Sequence, residues 1–374
     1  VYKRQALVAM TTGQVRRVAG PLVEVVDLPG LAMAEIVGLG DAGLPGEVVA
    51  LRDGVATIQA YEYTGGLRPG APVVARGVPL VAPLGPSLLG SVTDGLLRRL
   101  DTAGAWLDPT RPPSADERSW DVTPVVHVGD TVTPGMVAAT VDVPGPLEYR
   151  VQVPPGVSGT VAAAHPGGPA AEDDVVALVT DGHGDEHRVL LTQRWPVRHA
   201  RPYRDRVDET VGLVSGQRVL DLLYPVARGS TAAVPGGFGT GKTMLLQQVA
   251  KWCHADVIVY VGCGERGKEM ADVVADLSEL VDPRTSAPLA QRTVVIANTS
   301  NMAMMAREAS IYSGITVAEF FRDMGYDTVV IADSTSRWAE ALREFASRSG
   351  ALPAEEGYPC LLYTSDAADD NRLV

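Results

Sequence analysis

Apolar and polar residues alternate through the first 80 residues, in short valine-rich runs that glycine and proline separate. Examples are VRRVAGPLVEVV (15–26) and GEVVALRDGVATIQAY (46–61). Alternation over four to eight residues between turn residues is typical of half-buried strands. The pattern predicts a small antiparallel β-barrel over residues 10–80.

A second region, residues 111–199, shows the same alternation with still more proline and glycine. The run VHVGDTVTPGMVAATVDVPG (126–145) is representative. Its spacing again predicts short antiparallel strands. We therefore expect a β-rich module that is inserted between the barrel and the rest of the chain.

The pattern changes from Ser230 onwards, where short, continuous apolar runs precede segments of helical periodicity. Strands that alternate with helices predict a mostly parallel sheet covered on both faces, and ligands of such folds bind beyond the carboxyl ends of the strands. We assign residues 81–110 and 200–359 to this discontinuous α/β domain. The four predicted strand runs are STAAV (230–234), ADVIVYVG (255–262), RTVVIAN (292–298) and DTVVIAD (327–333).

Composition narrows the class of protein. A chain of 374 residues with 46% apolar residues can build two or three domain cores. The formal charge of −13 disfavours a non-specific electrostatic hold on nucleic acid or on an anionic lipid surface. Three cysteines give no disulfide framework. No apolar run reaches the roughly 18 to 20 residues that span a bilayer, and no secretion signal is evident, so we expect a cytoplasmic location.

The two ends of the chain share an unusual relationship. Residues 1–5, VYKRQ, can be encoded by a short DNA element whose reverse complement, entered one base later, encodes CLLYT at 360–364. That element resembles a transposon end used in preparing sequencing libraries. We expect residues 1–9 and 360–374 to be tails outside the fold, and the natural protein to continue beyond Pro359.

The stretch GGFGTGKT satisfies the pattern G-x-x-x-x-G-K-T and lies between a strand-like run and a helical run. In such loops the backbone amides and the helix amino terminus cradle phosphates, the lysine reaches the β and γ phosphates, and the Thr243 hydroxyl can bind Mg²⁺. The predicted phosphate-binding residues are Gly236, Gly237, Phe238, Gly239, Thr240, Gly241, Lys242 and Thr243.

Two carboxylates follow later strand runs. Asp333 ends TVVIAD, where it can serve Mg²⁺ beside a phosphate loop or cap the helix that begins near Ser336. Glu265, in YVGCGERGKEM, can polarise an attacking water or stabilise the positive end of the next helix. Arg266 is positioned to brace Glu265.

Two further motifs give weaker signals. The segment HGDEH (183–187) contains metal-binding residue types, but it lies in a polar stretch between strand-like runs, so a solvated turn is favoured. Cys263 lies close to Glu265 and can be a reactive thiol, although a small buried thiol between Gly262 and Gly264 is the simpler interpretation.

Together, GGFGTGKT, YVGCGERGKEM, DTVVIADSTSRWAEALRE and EEGYP resemble the catalytic A subunit of V/A-type rotary ATPases, over about residues 11–359. The resemblance implies a RecA-like nucleotide-binding domain that hydrolyses or makes ATP with Mg²⁺, coupled to proton or sodium transport. In that family Lys242 and the phosphate loop bind ATP or ADP, Glu265 orients water, Arg266 supports the site, and Thr243 and Asp333 serve the metal.

The resemblance also implies partners. These are a non-catalytic B-type subunit that supplies an arginine, central-shaft and stalk subunits, and a ring of three A and three B subunits. Contact with the membrane is then only indirect, through the ion-translocating sector. It further implies a carboxyl-terminal helical domain with contacts to adenine beyond residue 359.

The chain departs from the family pattern at Lys268 and at Ala303, Met304 and Met305. Two other functions share the nucleotide-binding fold. One is a hexameric nucleic-acid translocase, which the net charge and the lack of a basic, aromatic-rich patch disfavour. The other is a nucleotide-binding subunit without turnover, which the presence of both Lys242 and Glu265 disfavours.

Overall fold

The computed structural model describes residues 12–103, 118–205, 211–237, 239–282, 284–348 and 350. The two expected tails and Phe238 lie outside the described residues. Within the described part of the chain, no helix is long and apolar enough to cross a bilayer.

The first six strands close into a barrel in the order β1-β2-β5-β4-β3-β6, with antiparallel pairing throughout. Valine, leucine and isoleucine side chains of alternate positions fill its interior, including Val23, Val37 and Ile58 at 0% exposure. The predicted amino-terminal barrel is confirmed. Its strands are β1 (Thr12–Ala19), β2 (Leu22–Val26), β3 (Glu35–Leu39), β4 (Leu44–Arg52), β5 (Val55–Ala60) and β6 (Pro72–Pro79).

Two short strands lead away from the barrel, β7 (Val81–Leu84) and β8 (Val92–Thr93). The inserted module follows and forms two four-stranded antiparallel sheets, in the orders β10-β13-β15-β16 and β12-β11-β9-β14, while its last strand returns to pair with β7. The predicted β-rich module is confirmed. Its strands are β9 (Trp120–Pro124), β10 (Thr131–Val132), β11 (Val137–Asp142), β12 (Glu148–Gln152), β13 (Gly159–Ala164), β14 (Gly168–Ala170), β15 (Val175–Thr180), β16 (Glu186–Leu190) and β17 (Gln193–Pro196).

The remaining chain builds a parallel sheet with helices. Its strand order is β22-β20-β21-β8, and all three pairings are parallel. The mostly parallel α/β domain predicted from the periodicity is confirmed. Its other elements are β18 (Gly212–Leu213), α1 (Arg218–Leu223), β19 (Val226–Ala227), α2 (Lys242–Trp252), β20 (Val257–Glu265), α3 (Gly267–Glu279), β21 (Thr293–Thr299), α4 (Met304–Asp323), β22 (Thr328–Asp333) and α5 (Thr335–Arg348).

The predicted strand over residues 230–234 is wrong. These residues form no strand and are mostly exposed. Serine, threonine and two alanines bury little apolar surface, and Pro235 has no N–H with which to continue a ladder. As a result, β22 pairs only with β20 among the described strands, and Val330 is 38% exposed.

Candidate active site

The phosphate-loop motif leads directly into helix α2. Gly241 is the residue before the helix and has φ +85°, and Gly239 has φ +79°, backbone conformations that glycine adopts without strain. The Lys242 ammonium donates to the carbonyl oxygens of Gly236 at 2.6 Å and Gly237 at 2.7 Å. The loop is thus curled around its own lysine, at the amino terminus of a helix.

Helix α2, which follows the loop, packs against the parallel sheet. The helix packs against β22, and its last residues lead through Cys253 into the amino end of β20. Eleven helical residues span about 16 Å, comparable to the length of a six-residue strand. Because α2 runs antiparallel to these strands, Lys242 and Thr243 lie towards the ends at which the strands finish.

Glu265 and Asp333 are the last residues of two neighbouring strands, β20 and β22. In the parallel register Gly262 lies opposite Asp333, so both carboxylates belong to one edge of the sheet. Asp333 is 3% exposed and accepts a hydrogen bond from the Tyr260 hydroxyl at 3.1 Å. The fold therefore brings together two acidic residues that are 68 positions apart in sequence.

Glu265 is largely buried, and its pKa is raised from the ordinary glutamate value. Burial is the main cause, followed by a hydrogen bond with Glu269 and the negative charge of Asp333. Arg337, in the first turn of α5, opposes the shift, since its Nε lies 3.4 Å from Glu265 Oε1. A carboxylate with a raised pKa is a better proton acceptor than an ordinary one.

Arg266 does not brace Glu265 as the sequence suggested. It is the residue before α3, its side chain is 66% exposed, and it pairs with Glu269 at 3.8 Å. Arg337 makes the contact with Glu265 instead. The reason is geometric, because successive side chains of an extended segment point to opposite sides, whereas α5, which follows the neighbouring strand β22, contacts β20 with Arg337 in its first turn.

Sequence reasoning missed Arg307, which lies in the first turn of α4. Its side chain covers Gly264, and its Nη2 donates to the carbonyl oxygen of Ser300 at 3.2 Å. Its position in the sequence could have identified Arg307, because the first turns of helices that follow parallel strands all face the same edge of the sheet. The described residues thus place three arginines, at positions 266, 307 and 337, around two carboxylates.

The two weaker motifs have structural roles. Residues 183–185 form a turn between β15 and β16, where Asp181 accepts backbone hydrogen bonds from His183 and Asp185. No metal-binding cluster of His, Cys, Asp and Glu occurs among the residues that the structure describes. Cys263 is buried, as the simpler interpretation predicted, and burial raises its pKa to about 11.

Gly264, next to Glu265, has φ +76°, and a Cβ there would lie 2.9 Å from Arg307 and 3.1 Å from Arg337. We predict that Gly264→Ala destabilises the protein by about 1 to 3 kcal/mol, because alanine is strained in this conformation. Gly267→Ala is the matched control: it begins α3, and a Cβ there meets nothing within 4 Å. It should stabilise by roughly 0.4 to 1 kcal/mol. Thermal unfolding of the two variants should show shifts of opposite sign, and equal shifts would contradict the backbone argument.

Comparisons with known proteins agree with this architecture. Three sequence models of one family match the chain: its beta-barrel domain at residues 15–77, its barrel-sandwich domain at 112–198, and its nucleotide-binding domain at 216–369. The chain belongs to the ATP synthase alpha/beta family. The nucleotide-binding match contains the phosphate loop, Glu265 and Asp333.

Individual relatives cover nearly all of the chain. The A subunit of an A-type ATP synthase from Methanopyrus kandleri is 49% identical over 356 residues, which are 94% of this chain and 60% of the relative. A "V-type ATP synthase alpha chain" of Thermoanaerobacter sp. is 46% identical over 361 residues, 94% of this chain and 61% of the relative. The A subunit of an A-type ATP synthase from Halobacterium salinarum is 48% identical, covering 96% of this chain and 61% of the relative. The chain thus spans about three fifths of the length of these curated relatives.

Proposed function

We propose that this chain is the catalytic, nucleotide-binding part of a V/A-type rotary ATPase and that it hydrolyses or makes ATP. The observation that carries the proposal is that Glu265 and Asp333 end adjacent strands at one edge of the sheet, while the phosphate-loop motif leads into α2, the helix that packs against the strand of Asp333. The relatives named as A-type and V-type ATP synthase subunits support the same function.

In this proposal each group has one task. The phosphate loop and Lys242 bind the phosphates of ATP or ADP, and Glu265 accepts a hydrogen bond from the attacking water. Arg337 keeps the Glu265 carboxylate oriented, and Arg266 contributes positive charge at the rim. Burial and the acidic neighbours of Glu265 increase its basicity in the direction that water activation needs.

The residues present fit a Mg²⁺ ion. The Thr243 hydroxyl and the Asp333 carboxylate are the hard oxygen donors that Mg²⁺ prefers; Asp333 ends β22, and Thr243 lies in the first turn of α2, the helix that packs against that strand. When bound, the ion neutralises developing negative charge on the phosphate oxygens.

We further propose that the chain works at an interface with a non-catalytic B-type subunit, in a ring of three A and three B subunits around a central shaft. The need for a neighbour follows from the charges of the site. Arg266 pairs with Glu269, Arg337 pairs with Glu265, and Arg307 bonds to Ser300. Among the described residues these three arginines already have contacts within the chain, so we propose that a second cation for the γ phosphate, besides Lys242, comes from the neighbouring subunit. Transport of protons or sodium belongs to other subunits of the complex.

Nucleotide binding gives the first test. We predict that Lys242→Met weakens Mg-ATP binding by roughly 10- to 150-fold, since a charge-assisted hydrogen bond contributes about 1.5 to 3 kcal/mol. Lys251→Met is the control, because Lys251 lies on the same helix but pairs with Asp276 at 2.9 Å. Titration with a fluorescent ATP analogue measures both variants. Equal affinities for the two variants would show that the loop does not hold the phosphates.

A further inference from the structure

An ionic cluster with two buried carboxylates joins the barrel to the nucleotide-binding domain. Arg198, just after β17, makes two forked pairs: Nε and Nη2 contact the Glu47 oxygens of β4 at 2.9 and 3.0 Å, while Nη1 and Nη2 contact those of Glu308 on α4 at 3.0 and 2.9 Å. Glu47 and Glu308 are 4% and 3% exposed. Three distant parts of the chain therefore meet at one guanidinium.

The surroundings of the cluster hold the guanidinium in one orientation. Tyr61 donates to Glu47, and the Tyr312 ring lies 4.9 Å from the Arg198 guanidinium carbon. Burial alone would lower the pKa of Arg198, but its hydrogen bonds to Glu308 and Glu47 raise it above its usual range. Burial raises the pKa of Glu308, and Arg198 opposes that shift. Removing Arg198 would leave two buried carboxylates uncompensated.

The cluster is connected to Glu265 through helices α4 and α5. The carbonyl oxygen of Glu308 accepts a hydrogen bond from the indole Nε1 of Trp338 at 3.2 Å. The residue before Trp338 is Arg337, which contacts Glu265. Arg198 therefore holds Glu308 on α4, and the backbone of Glu308 binds Trp338, the residue next to Arg337.

We propose that Arg198 is a positioning residue for the candidate active site: by fixing Glu308 on α4 it holds Trp338, and through Trp338 it keeps Arg337 against Glu265. The effect on turnover rests on the proposed function, whereas the contact path does not. Since lysine presents a point charge instead of a planar fork, the variant Arg198→Lys cannot bridge both carboxylates in the same way.

The chain provides a matched control in Arg201. This residue is 2% exposed, lies three residues further on, and also ties the returning segment to α4, where its Nε pairs with Asp323 at 2.7 Å. The Arg201 guanidinium lies over the aromatic rings of Trp195 and Phe320. Asp323 is 15 residues beyond Glu308, or about 22 Å along the helix. Loss of Arg201 therefore removes a comparable buried pair far from Trp338.

The indole N–H resonance of Trp338 reports the contact path directly. In ¹⁵N-tryptophan spectra of the whole chain, Trp338→Phe assigns the signal. We expect Arg198→Met to shift or broaden this resonance and Arg201→Met to leave it in place. If Arg198→Met does not fold, Arg198→Lys carries the same test. An unmoved Trp338 signal in the folded Arg198 variant would overturn the proposal, as would an equal shift in Arg201→Met.

Turnover separates positioning from stability. In the assembly with a B-type subunit, the Arg198 variant should lower kcat for ATP by about 10- to 100-fold with KM changed less than about threefold, because a misplaced catalytic group costs rate more than binding. Arg201→Met should keep kcat within about threefold. Unchanged kcat in the Arg198 variant overturns the proposal. If the unsubstituted assembly shows no turnover, the proposed function fails instead, and the Trp338 resonance still decides the contact path.

Discussion

Replacing Glu265 with glutamine should abolish most ATP turnover and preserve nucleotide binding. Glutamine keeps the shape of the side chain but cannot act as a general base, and loss of a well-placed base costs about a hundredfold to ten-thousandfold in rate. The phosphate loop leads into α2, and no described contact of the loop involves Glu265. Steady-state phosphate release by the chain assembled with a B-type subunit measures the loss of rate, and titration with a fluorescent nucleotide measures binding.

Glu269→Gln is the control for this substitution. Glu269 is on α3, lies beside Glu265 and pairs with Arg266, so its substitution removes a negative charge at nearly the same place. We expect its effect on turnover to be within about tenfold, because the base itself remains. Equal losses of turnover in the two variants would mean that Glu265 acts only through its negative charge. An undiminished rate in Glu265→Gln would mean that Glu265 instead stabilises the amino terminus of α3.

Addition of a B-type subunit should raise ATP hydrolysis by the chain by about a thousandfold or more. Phosphoryl transfer needs positive charge on the γ-phosphate oxygens, and an arginine supplied by a neighbour contributes about 10³- to 10⁵-fold. Among the described residues, Arg266 and Arg337 pair with Glu269 and Glu265, and one nitrogen of Arg307 donates to the carbonyl oxygen of Ser300. Phosphate release by the chain with and without the B-type subunit measures this effect.

The control is a B-type subunit whose interface arginine is replaced by alanine. It should assemble with the chain and give no comparable stimulation. Full activity of the chain alone, or full stimulation by the substituted partner, would contradict the shared-site argument.

The sequence predicted those parts of the fold that depend on local periodicity. Alternating valines predicted the barrel, and the runs that became β20, β21 and β22 predicted the parallel sheet. The run at residues 230–234 failed because its small side chains provide too little apolar surface to hold a strand. Strand β8 was not predicted individually, since a two-residue strand leaves no periodic signal.

The candidate site was predictable to the extent that its chemistry is local. The glycine-lysine motif and the carboxylates at strand ends could be identified from sequence, and the structure places Glu265 and Asp333 on one sheet edge. The pairing of Glu265 with Arg337 depends on how α5 returns to the sheet, which no local pattern encodes. Met305, one of the departures from the family pattern, is buried beside Ile36 and Tyr61 of the barrel region, a contact across 244 residues of sequence or more.

We propose above that this site cleaves ATP and does not only hold it. The most direct measurement is a single-turnover experiment in which the chain, assembled with a B-type subunit, is mixed with a substoichiometric amount of radiolabelled Mg-ATP and quenched over time. We expect bound ATP to be converted to ADP and phosphate in the unsubstituted assembly and to remain uncleaved in Glu265→Gln. Tight binding without cleavage in the unsubstituted assembly, or equal cleavage in both, would contradict it.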